Sequence, residues 1–200
     1  MALKSYMYRN LVEAGCDEAG RGCLAGPVFA AAVILPKNYR HPVLNDSKQL
    51  GAKLREELRE EIINTAIGWS VSQVSNGEID EMNILRASIK AMHLALDGLS
   101  AKFQFILVDG NRFFPYGDIK HATIVKGDSI YFSIAAASIL AKTFRDDFMD
   151  SIDTEFPEYG WKKNKGYATR DHRKAIEQFG ITKYHRRSFT LLDPQLNLDF

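Results

Sequence analysis

The sequence predicts an α/β fold built around one main core. Segments with strand character alternate with segments of helical periodicity along the 200 residues. Residues 27–35 are almost entirely apolar, which is typical of a strand buried on both faces in the middle of a sheet. An apolar content of 46% suffices for one sizeable core, and the composition is not that of a disordered or fibrous protein.

The strands are predicted from short apolar runs bounded by turn residues. We expect them over residues 12–16, 27–35, 69–74, 103–108 and 122–125. The first two lie on either side of a glycine-rich loop, and we expect both near the centre of the sheet. The fourth ends in Asp109-Gly110, a dipeptide that also makes ordinary turns.

The helices are predicted from apolar residues that recur every three or four positions. We expect them over residues 53–66, 79–99, 129–145 and 169–179. The first carries Leu54, Leu58 and Ile62 at a spacing of four, with charged residues between them. The third is rich in serine and alanine, so its backbone is expected to lie close to the sheet.

Charge is distributed unevenly along the chain, although the formal net charge is only +1. Residues 160–190 contain many basic residues and only two acids, Asp171 and Glu177. The basic residues are Lys162, Lys163, Lys165, Arg170, Arg173, Lys174, Lys183, Arg186 and Arg187. This asymmetry fits either contact with a nucleic-acid backbone or an ordinary solvated basic face.

Cysteine content and hydropathy bear on the cellular compartment. Cys16 and Cys23 are too few for a zinc ribbon or a disulfide framework, so we expect reduced thiols. No cationic leader precedes an apolar segment, and the longest apolar run, residues 25–35, is too short to cross a membrane. We therefore expect a cytoplasmic protein that has no membrane partner.

The most informative motif is Asp17-Glu18-Ala19-Gly20-Arg21-Gly22, which follows the first predicted strand. Adjacent carboxylates between apolar segments are costly unless they are paired or bound to metal. The backbone amides of a glycine loop beside them are suited to a phosphate. Neighbouring strand residues point to opposite faces, so Asp17 and Glu18 share one site only if the strand ends or bulges between them.

Two further carboxylates are candidates for the same site. Asp109 follows a predicted strand, as Asp17 does, and open α/β sheets bind ligands beyond the carboxyl ends of their strands. Asp128 precedes the helix of small residues, where it is either a ligand or a plain N-cap. Four carboxylates at one site repel one another unless cations intervene, which favours a pair of Mg²⁺ or Mn²⁺ ions.

Seven segments, taken in order, resemble bacterial ribonuclease HII, the type 2 ribonuclease H. They are residues 15–22, 46–48, 108–110, 126–129, 133–142, 165–167 and 185–189. The resemblance implies a ribonuclease H-like fold, with a mixed central sheet flanked by helices and a helical C-terminal extension. One departure is Gly51, where the family more often has a Ser or Thr that caps the following helix; this bears on stability and not on chemistry.

The resemblance implies an endoribonuclease that hydrolyses the RNA strand of RNA/DNA hybrids and incises DNA on the 5′ side of embedded ribonucleotides. Its catalytic residues and metal ligands would be Asp17, Glu18, Asp109 and Asp128. They would hold two divalent ions, Mn²⁺ or Mg²⁺, roughly 4 Å apart, with Asp17 shared by both. One ion would generate the attacking hydroxide and the other would stabilise the leaving 3′-oxygen, giving 5′-phosphate and 3′-hydroxyl ends.

The resemblance also assigns contacts with the substrate. The 2′-hydroxyl, which separates RNA from DNA, would be read by Gly20, Arg21 and Gly22. The ring of Tyr167 would pack on the sugar next to the scissile bond. Phosphates would be bound by the basic segment together with Lys48, Lys142 and Lys165. His172 and His185 remain open between a proton-transfer or phosphate-binding role and a structural one.

The chain is expected to divide into three parts. These are a ribonuclease H-like catalytic domain over residues 1–160, a basic helical extension packed on it over residues 161–192, and a flexible tail over residues 193–200. The tail resembles the short peptides by which bacterial replication and repair proteins dock on the sliding clamp. Its anchors would be Gln195, Leu196, Leu198 and Phe200. The alternative is that these apolar residues fold back on the body of a protein that we expect to be a monomer.

Two other classes of protein share part of these features. A non-catalytic nucleic-acid-binding module explains the basic segment and the tail, but not four acids beside a phosphate-binding surface. Another metal nuclease of the same fold, such as a resolvase or integrase, explains the acids but not a glycine–arginine loop paired with Tyr167. Metal-dependent cleavage confined to ribonucleotide sites distinguishes our prediction from both.

Overall fold

The structure is a computed structural model that describes residues 3–44 and 50–192. Its centre is a five-stranded sheet formed by β1 (Glu13–Ala19), β2 (Val28–Ile34), β3 (Gly68–Val74), β4 (Phe105–Asp109) and β5 (Lys120–Ile124). The strand order is β3-β2-β1-β4-β5. β2 pairs antiparallel with both β1 and β3, whereas β4 pairs parallel with both β1 and β5. The sheet is therefore mixed, as expected.

Helices cover both faces of this sheet. They are α1 (Ala52–Thr65), α2 (Asn76–Met82), α3 (Ile84–Asp97), α4 (Phe132–Asp153), α5 (Trp161–Asn164) and α6 (Arg170–Phe179). One buried apolar cluster joins the sheet to α2 and α3, and a second joins the opposite face to α1 and α4. The predicted α/β fold, with helices flanking a mixed sheet, is confirmed.

The strand β2 serves both apolar clusters. All seven of its residues are buried, which confirms the prediction made from its apolar sequence. Ala30 and Ala32 belong to the cluster beneath α3, whereas Ala31 and Val33 belong to the cluster beneath α4. Small side chains on both faces allow the helices to pack close to the strand.

The segment predicted as one helix over residues 79–99 is two helices, so that prediction is wrong in one respect. Asn83 separates α2 from α3 with a φ of 70°, a left-handed value that a helix interior does not accommodate. Its side chain accepts hydrogen bonds from the backbone N–H groups of Leu85 and Arg86 and so caps α3. Asparagine is among the best residues for both tasks.

The small-residue helix α4 begins and ends later than the predicted range 129–145. Its first residue is Phe132, because residues 127–129 form a separate 3₁₀ turn, and it continues to Asp153. The last two turns are rich in charged residues, so Met149 and Ile152 do not stand out as part of an apolar pattern in the sequence. These two side chains are buried in a third apolar cluster with the C-terminal segment.

The C-terminal segment packs on α4 through aromatic residues that the sequence pattern did not reveal. α5 has only four residues, too few to show periodicity, yet Trp161 at its start is fully buried. The Trp161 ring stacks on Tyr159 with centroids 5.1 Å apart. Ala175 and Ile176 of α6 complete the cluster.

Cys16 and Cys23 are buried and unbridged, as predicted. Across residues 3–44 and 50–192, no helix combines the length and the apolar character that a bilayer crossing requires.

The close contact between α4 and β1 depends on Gly15. A Cβ atom at this position would lie 2.3 Å from the carbonyl carbon of Ser133 and 2.6 Å from the backbone nitrogen of Ile134. Backbone atoms of a buried helix have no room to yield, so glycine is required here for reasons of space. The serine and alanine residues of α4 keep the helix side of this contact equally thin.

We predict that Gly15→Ala destabilises the fold by about 3 kcal/mol or more, because the methyl group overlaps the backbone of α4. Gly77→Ala is the matched control, since a Cβ there has its nearest neighbour, Ser75 Oγ, at 3.9 Å. This control lies in α2, where alanine should be neutral or stabilising by up to about 1 kcal/mol. Urea unfolding of both variants and the natural protein checks the prediction; equal midpoints for all three would contradict it.

Candidate active site

The two adjacent acids lie at the carboxyl end of β1, beside the end of β4. The last pair between β1 and β4 is Cys16 with Val108, so Asp17 and Asp109 are the next residue of each strand. Asp109 is also the last residue of β4 that pairs with β5. Pairing between β1 and β2 continues without a bulge to the end of β1. On the side of β2, the strand therefore neither ends nor bulges between Asp17 and Glu18. Only the pairing of β1 with β4 has stopped before these two residues.

Asp17 and Glu18 lie at different depths of the site. Asp17 is only 5% exposed, and Ser138 of α4 donates a hydrogen bond to its carboxylate. Glu18 lies in the wall of an open cleft of about 440 Å³, where its Oε1 is 3.1 Å from Nη1 of Arg21. One carboxylate is thus beneath the cleft and the other lines it.

Asp109 is the last residue of β4 and also lines the cleft. Gly110 follows it with a φ of 96°, which ends the strand in a turn. The Oδ1 atom of Asp109 accepts a hydrogen bond of 2.7 Å from the backbone N–H of Gly127. This bond fixes the carboxylate and ties β4 to the turn that precedes α4.

Asp128 is buried in the 3₁₀ turn Gly127–Ser129 and is not among the residues that line the cleft. α4 begins four residues later, at Phe132, so the N-cap interpretation of Asp128 is wrong. Its neighbour Gly127 donates a hydrogen bond to Asp109, which lines the cleft. Of the four predicted ligands, three lie in or directly beneath the cleft, and the fourth lies beside it.

Burial and mutual repulsion dominate the electrostatics of the carboxylates. Burial raises the pKa of the Asp17 carboxyl well above its usual range, and the charges of Glu18 and Asp109 raise it further. The hydrogen bonds that Asp17 accepts from Ser138 and from the N–H of Glu18 oppose this increase only in part. Ionised Asp17 is therefore an unfavourable charge that a cation would stabilise.

The donor set fits a hard divalent cation. All its candidate side-chain ligands are carboxylate oxygens, which Mg²⁺ and Mn²⁺ prefer. In the part of the chain that the structure describes, however, no group of three or more His, Cys, Asp or Glu side chains is already arranged to hold an ion. The carboxylates are instead held by local donors, Glu18 by Arg21 and Asp109 by Gly127.

The glycine–arginine loop after β1 is held from beneath by a buried arginine. Gly20 has a φ of 96°, and a Cβ atom there would lie 2.0 Å from Nε of Arg145. The guanidinium of Arg145 donates hydrogen bonds to the carbonyl oxygens of Pro27, Lys165 and Ala25. One side chain of α4 thereby joins the loop to the C-terminal segment.

A second buried arginine, Arg186, supports the same loop, which corrects its assignment to a basic surface. It is fully buried and donates hydrogen bonds of 2.9 Å to the carbonyl oxygens of Gly26 and Arg21. Burial lowers its pKa to about 10, so the side chain keeps its charge at neutral pH. Neither arginine had a sequence signal for burial, because arginine is normally exposed.

The predicted substrate-binding residues converge in part. The cleft is lined by Glu18, Ala19, Gly20, Arg21, Gly22, Asp109, Ser138, Lys142 and Tyr167. The Tyr167 side chain is 41% exposed, and the Lys142 ammonium lies 6.0 Å from the centre of its ring. Lys142 also forms an ion pair of 2.5 Å with Asp146, and burial lowers the pKa of its ammonium group.

Lys165, by contrast, is not among the residues that line this cleft. Lys165 pairs with Asp150, and its backbone carbonyl accepts the bond from Arg145. Lys48 lies outside the described residues, as do the tail anchors Gln195, Leu196, Leu198 and Phe200.

Of the two interpretations left open for His172 and His185, the structure supports the structural one. Both rings are buried, at 0% and 1% exposure, and neither lines the cleft. Burial lowers the pKa of both, that of His185 to about 4. Neutral buried rings of this kind do not bind phosphate.

Comparisons with known proteins identify the family of this chain. The family model described as Ribonuclease HII matches residues 14–192. A protein named Ribonuclease HII from Bacteroides thetaiotaomicron is 60% identical over 199 residues, covering 99% of this chain and all of that protein.

Solved structures share the fold. The ribonuclease HII of Archaeoglobus fulgidus, solved in complex with PCNA, is 26% identical with a TM-score of 0.76; the match covers 93% of this chain and 98% of that one. Bst-RNase HIII, solved in complex with Mn²⁺, is 18% identical with a TM-score of 0.67. That match covers 90% of this chain and 68% of the other, and it bears on the fold alone.

We predict that Asp17→Asn stabilises the metal-free protein, because it removes a buried charge beside two other carboxylates. Because the pKa of Asp17 is raised in the folded state, its protonated carboxyl favours folding at low pH. This stabilisation is lost as the pH rises through the raised pKa. The variant should therefore melt several degrees above the natural protein at pH 7.5, since about 1 kcal/mol moves the Tm of a chain this long by roughly 2–4 °C. The difference in Tm between the variant and the natural protein should become smaller as the pH is lowered.

Calorimetry in buffer with a chelator, from pH 7.5 to pH 5, measures this difference. Asp118→Asn, at an exposed turn position, is the control for loss of one negative charge. A Tm of Asp17→Asn that is below that of the natural protein at every pH would contradict the prediction.

Proposed function

The chain belongs to the ribonuclease HII family and is a ribonuclease H endonuclease; we propose that its cleft beside β1, β4 and α4 incises nucleic acid at ribonucleotides. The substrates are RNA/DNA hybrids and duplex DNA with embedded ribonucleotides, cut on the 5′ side of the ribonucleotide. The products carry 5′-phosphate and 3′-hydroxyl ends. A non-catalytic binding module is not favoured, because it gives no reason for carboxylates whose charges repel one another beneath a cleft.

One observation carries the proposal: two of the four acids and the predicted RNA-reading groups line the same cleft. Glu18 and Asp109 lie in its wall with the loop of residues 20–22 and Tyr167. A metal nuclease that does not distinguish RNA from DNA has no need of a tight loop beside the acids. In this proposal the loop, which lines the cleft, contacts the 2′-hydroxyl through its backbone groups, and the exposed ring of Tyr167 offers a surface for the sugar.

The metal ligands of this activity are Asp17, Glu18, Asp109 and Asp128, with two ions as the proposed number. Divalent ions bound there supply an activated water and stabilise charge on the leaving oxygen. The Mn²⁺ complex of Bst-RNase HIII, which has the same fold, is in line with a divalent metal.

Neighbouring protein groups determine the positions and orientations of the carboxylates. Ser138 holds Asp17 beneath the cleft, and the N–H of Gly127 holds one oxygen of Asp109, leaving the other available. Arg21, now paired with Glu18, is 50% exposed and is placed to exchange that partner for a phosphate. Lys142 adds a positive charge to the same wall and is the proposed phosphate contact within the cleft.

Lys48 and Lys165 remain proposed phosphate contacts. The Lys165 side chain pairs with Asp150, and Lys165 is not among the residues that line the cleft. We propose that this activity belongs to a cytoplasmic monomer, since all the groups named above come from one chain and the buried thiols suit a reducing compartment.

The tail is proposed to dock on a sliding clamp. The ribonuclease HII of Archaeoglobus fulgidus was solved in complex with PCNA, and residues 195–200 of this chain carry the glutamine, leucines and aromatic residue of a docking peptide. Apolar anchors spaced along a short terminal sequence suit a hydrophobic groove of a partner.

We predict that a labelled peptide of residues 193–200 binds the bacterial sliding clamp, because Leu198 and Phe200 would fill its groove. Replacing both by alanine should weaken binding at least tenfold, since each buried apolar anchor contributes more than 1 kcal/mol. Fluorescence anisotropy against purified clamp measures this. Equal affinities of the natural and alanine peptides would contradict the docking proposal.

The central prediction concerns incision of a labelled DNA duplex that contains one ribonucleotide, with Mg²⁺ or Mn²⁺ present. The natural protein should cut on the 5′ side of the ribonucleotide and leave an all-DNA duplex intact. Asp109→Asn should lower kcat/KM by at least 100-fold, because it removes a charged ligand from the cleft. The exposed Asp118→Asn variant, with the same change of charge, should keep activity within about twofold.

Products resolved on a denaturing gel give both the rate and the cut position. Cleavage of all-DNA duplex at a similar rate would point to another metal nuclease of this fold. A folded natural protein that is inactive on this duplex and on a longer RNA/DNA hybrid would refute the proposed substrates.

A further inference from the structure

Behind Tyr167 lies a buried hydrogen-bond network that the proposed mechanism does not use. Its members are Trp161 of α5, His172 of α6, and Thr182 and His185 in the segment after α6. The Nε1 of Trp161 lies 3.0 Å from Nε2 of His172, and Nε2 of His185 lies 3.3 Å from the same atom. All three rings are at most 1% exposed.

The partners of the two histidines assign the positions of their protons. His172 Nδ1 lies 2.9 Å from the backbone carbonyl of Tyr167, so this nitrogen carries the proton and donates. The other nitrogen of His172 then accepts from Trp161 and His185. His185 Nδ1 accepts from the N–H of Thr182 at 2.9 Å, which leaves its Nε2 as a donor. Both rings are neutral in this arrangement, and the N–H groups of Trp161 and His185 share the one lone pair of His172 Nε2.

Neutral rings are also what the surroundings favour. Burial lowers the pKa of both histidines, and the proximity of the two rings lowers the pKa of His185 further, to about 4. The cationic Arg173 acts in the same direction on His172. A proton added to either ring would place two donors face to face in this network.

The network ends on a segment that is also joined to the loop between β1 and β2, since the N–H of Leu24 donates a hydrogen bond of 2.7 Å to the carbonyl of Gly166. Tyr167 follows Lys165 and Gly166, both with positive φ, and lies between α5 and α6. Its N–H donates to Asn164, and its carbonyl accepts from the N–H of Thr169 and from His172. The His172 bond adds a direct link between the buried rings and the backbone of Tyr167 itself.

We infer that His172, with its proton position fixed by Trp161 and His185, is a positioning residue that sets the placement of the Tyr167 ring in the cleft. This inference rests on the proposed function in so far as Tyr167 contacts the substrate sugar. His172 touches no substrate itself. Its contribution is to hold the Tyr167 carbonyl, so that the ring meets the ribonucleotide without first having to be ordered.

Two isosteric variants separate this role from simple packing. The amide nitrogen of asparagine takes the place of Nδ1 and still donates to the Tyr167 carbonyl, so His172→Asn should keep kcat/KM within about threefold. The amide of glutamine reaches the Nε2 position and loses that bond, so His172→Gln should lower kcat/KM on the single-ribonucleotide duplex about tenfold. Both bury a neutral amide, so the cost to stability is matched.

The same pair is then compared in a Tyr167→Ala background, with all assays run well below the lowest Tm. There the difference between His172→Asn and His172→Gln should disappear, because the group being positioned is gone. Trp161→Phe, which keeps a large ring and removes only the N–H donor, provides a second test if His172→Gln does not fold. It should lower kcat/KM two- to threefold in the natural background and leave Tyr167→Ala unchanged.

A readout without substrate separates this inference from the proposed function. In crystal structures, His172→Gln should displace the Tyr167 ring and carbonyl, whereas His172→Asn should leave them in place. That result would support the inference even if no ribonucleotide incision were found. An undisplaced Tyr167 in His172→Gln, or an activity difference that persists in the Tyr167→Ala background, would overturn it.

Discussion

The close approach of α4 to β1 is the contact on which the rest of the site depends. Because Gly15 has no side chain, the helix lies directly on the strand that carries the paired acids. Ser138 is thereby brought within hydrogen-bonding distance of Asp17, and Lys142, one turn further along α4, reaches the cleft wall. The same helix continues to Arg145, which carries the support across to the loop after β1.

The glycine-containing loop after β1 is held in place by buried arginine side chains. Glycines allow the loop its positive φ values, but they also give it little intrinsic order. Arg145 and Arg186 supply the order by donating hydrogen bonds to backbone carbonyl oxygens between β1 and β2. Strong buried donors thus replace the side-chain packing that a glycine loop lacks.

The sequence predicted what depends on local pattern and missed what depends on distant contacts. The buried strand β2 and the helix of small residues were predictable, because apolar periodicity records burial directly. The break at Asn83 was missed, since a single polar residue does not interrupt an apolar stripe. In the site, the acids of β1 and β4 were predictable from strand ends, whereas the burial of Arg186 was not: its partners are about 160 residues away in the sequence.

That separation has a consequence for when the enzyme becomes competent during synthesis. The acids of β1 are made early, but the carbonyl oxygens of Arg21 and Gly26 meet Arg186 only after nearly the whole chain has been translated. Contacts between distant parts of a sequence form late and close cooperatively. A nascent chain therefore carries its acids while the loop beside them is still unsupported. The loop that is proposed to read the 2′-hydroxyl is therefore supported only near the end of synthesis.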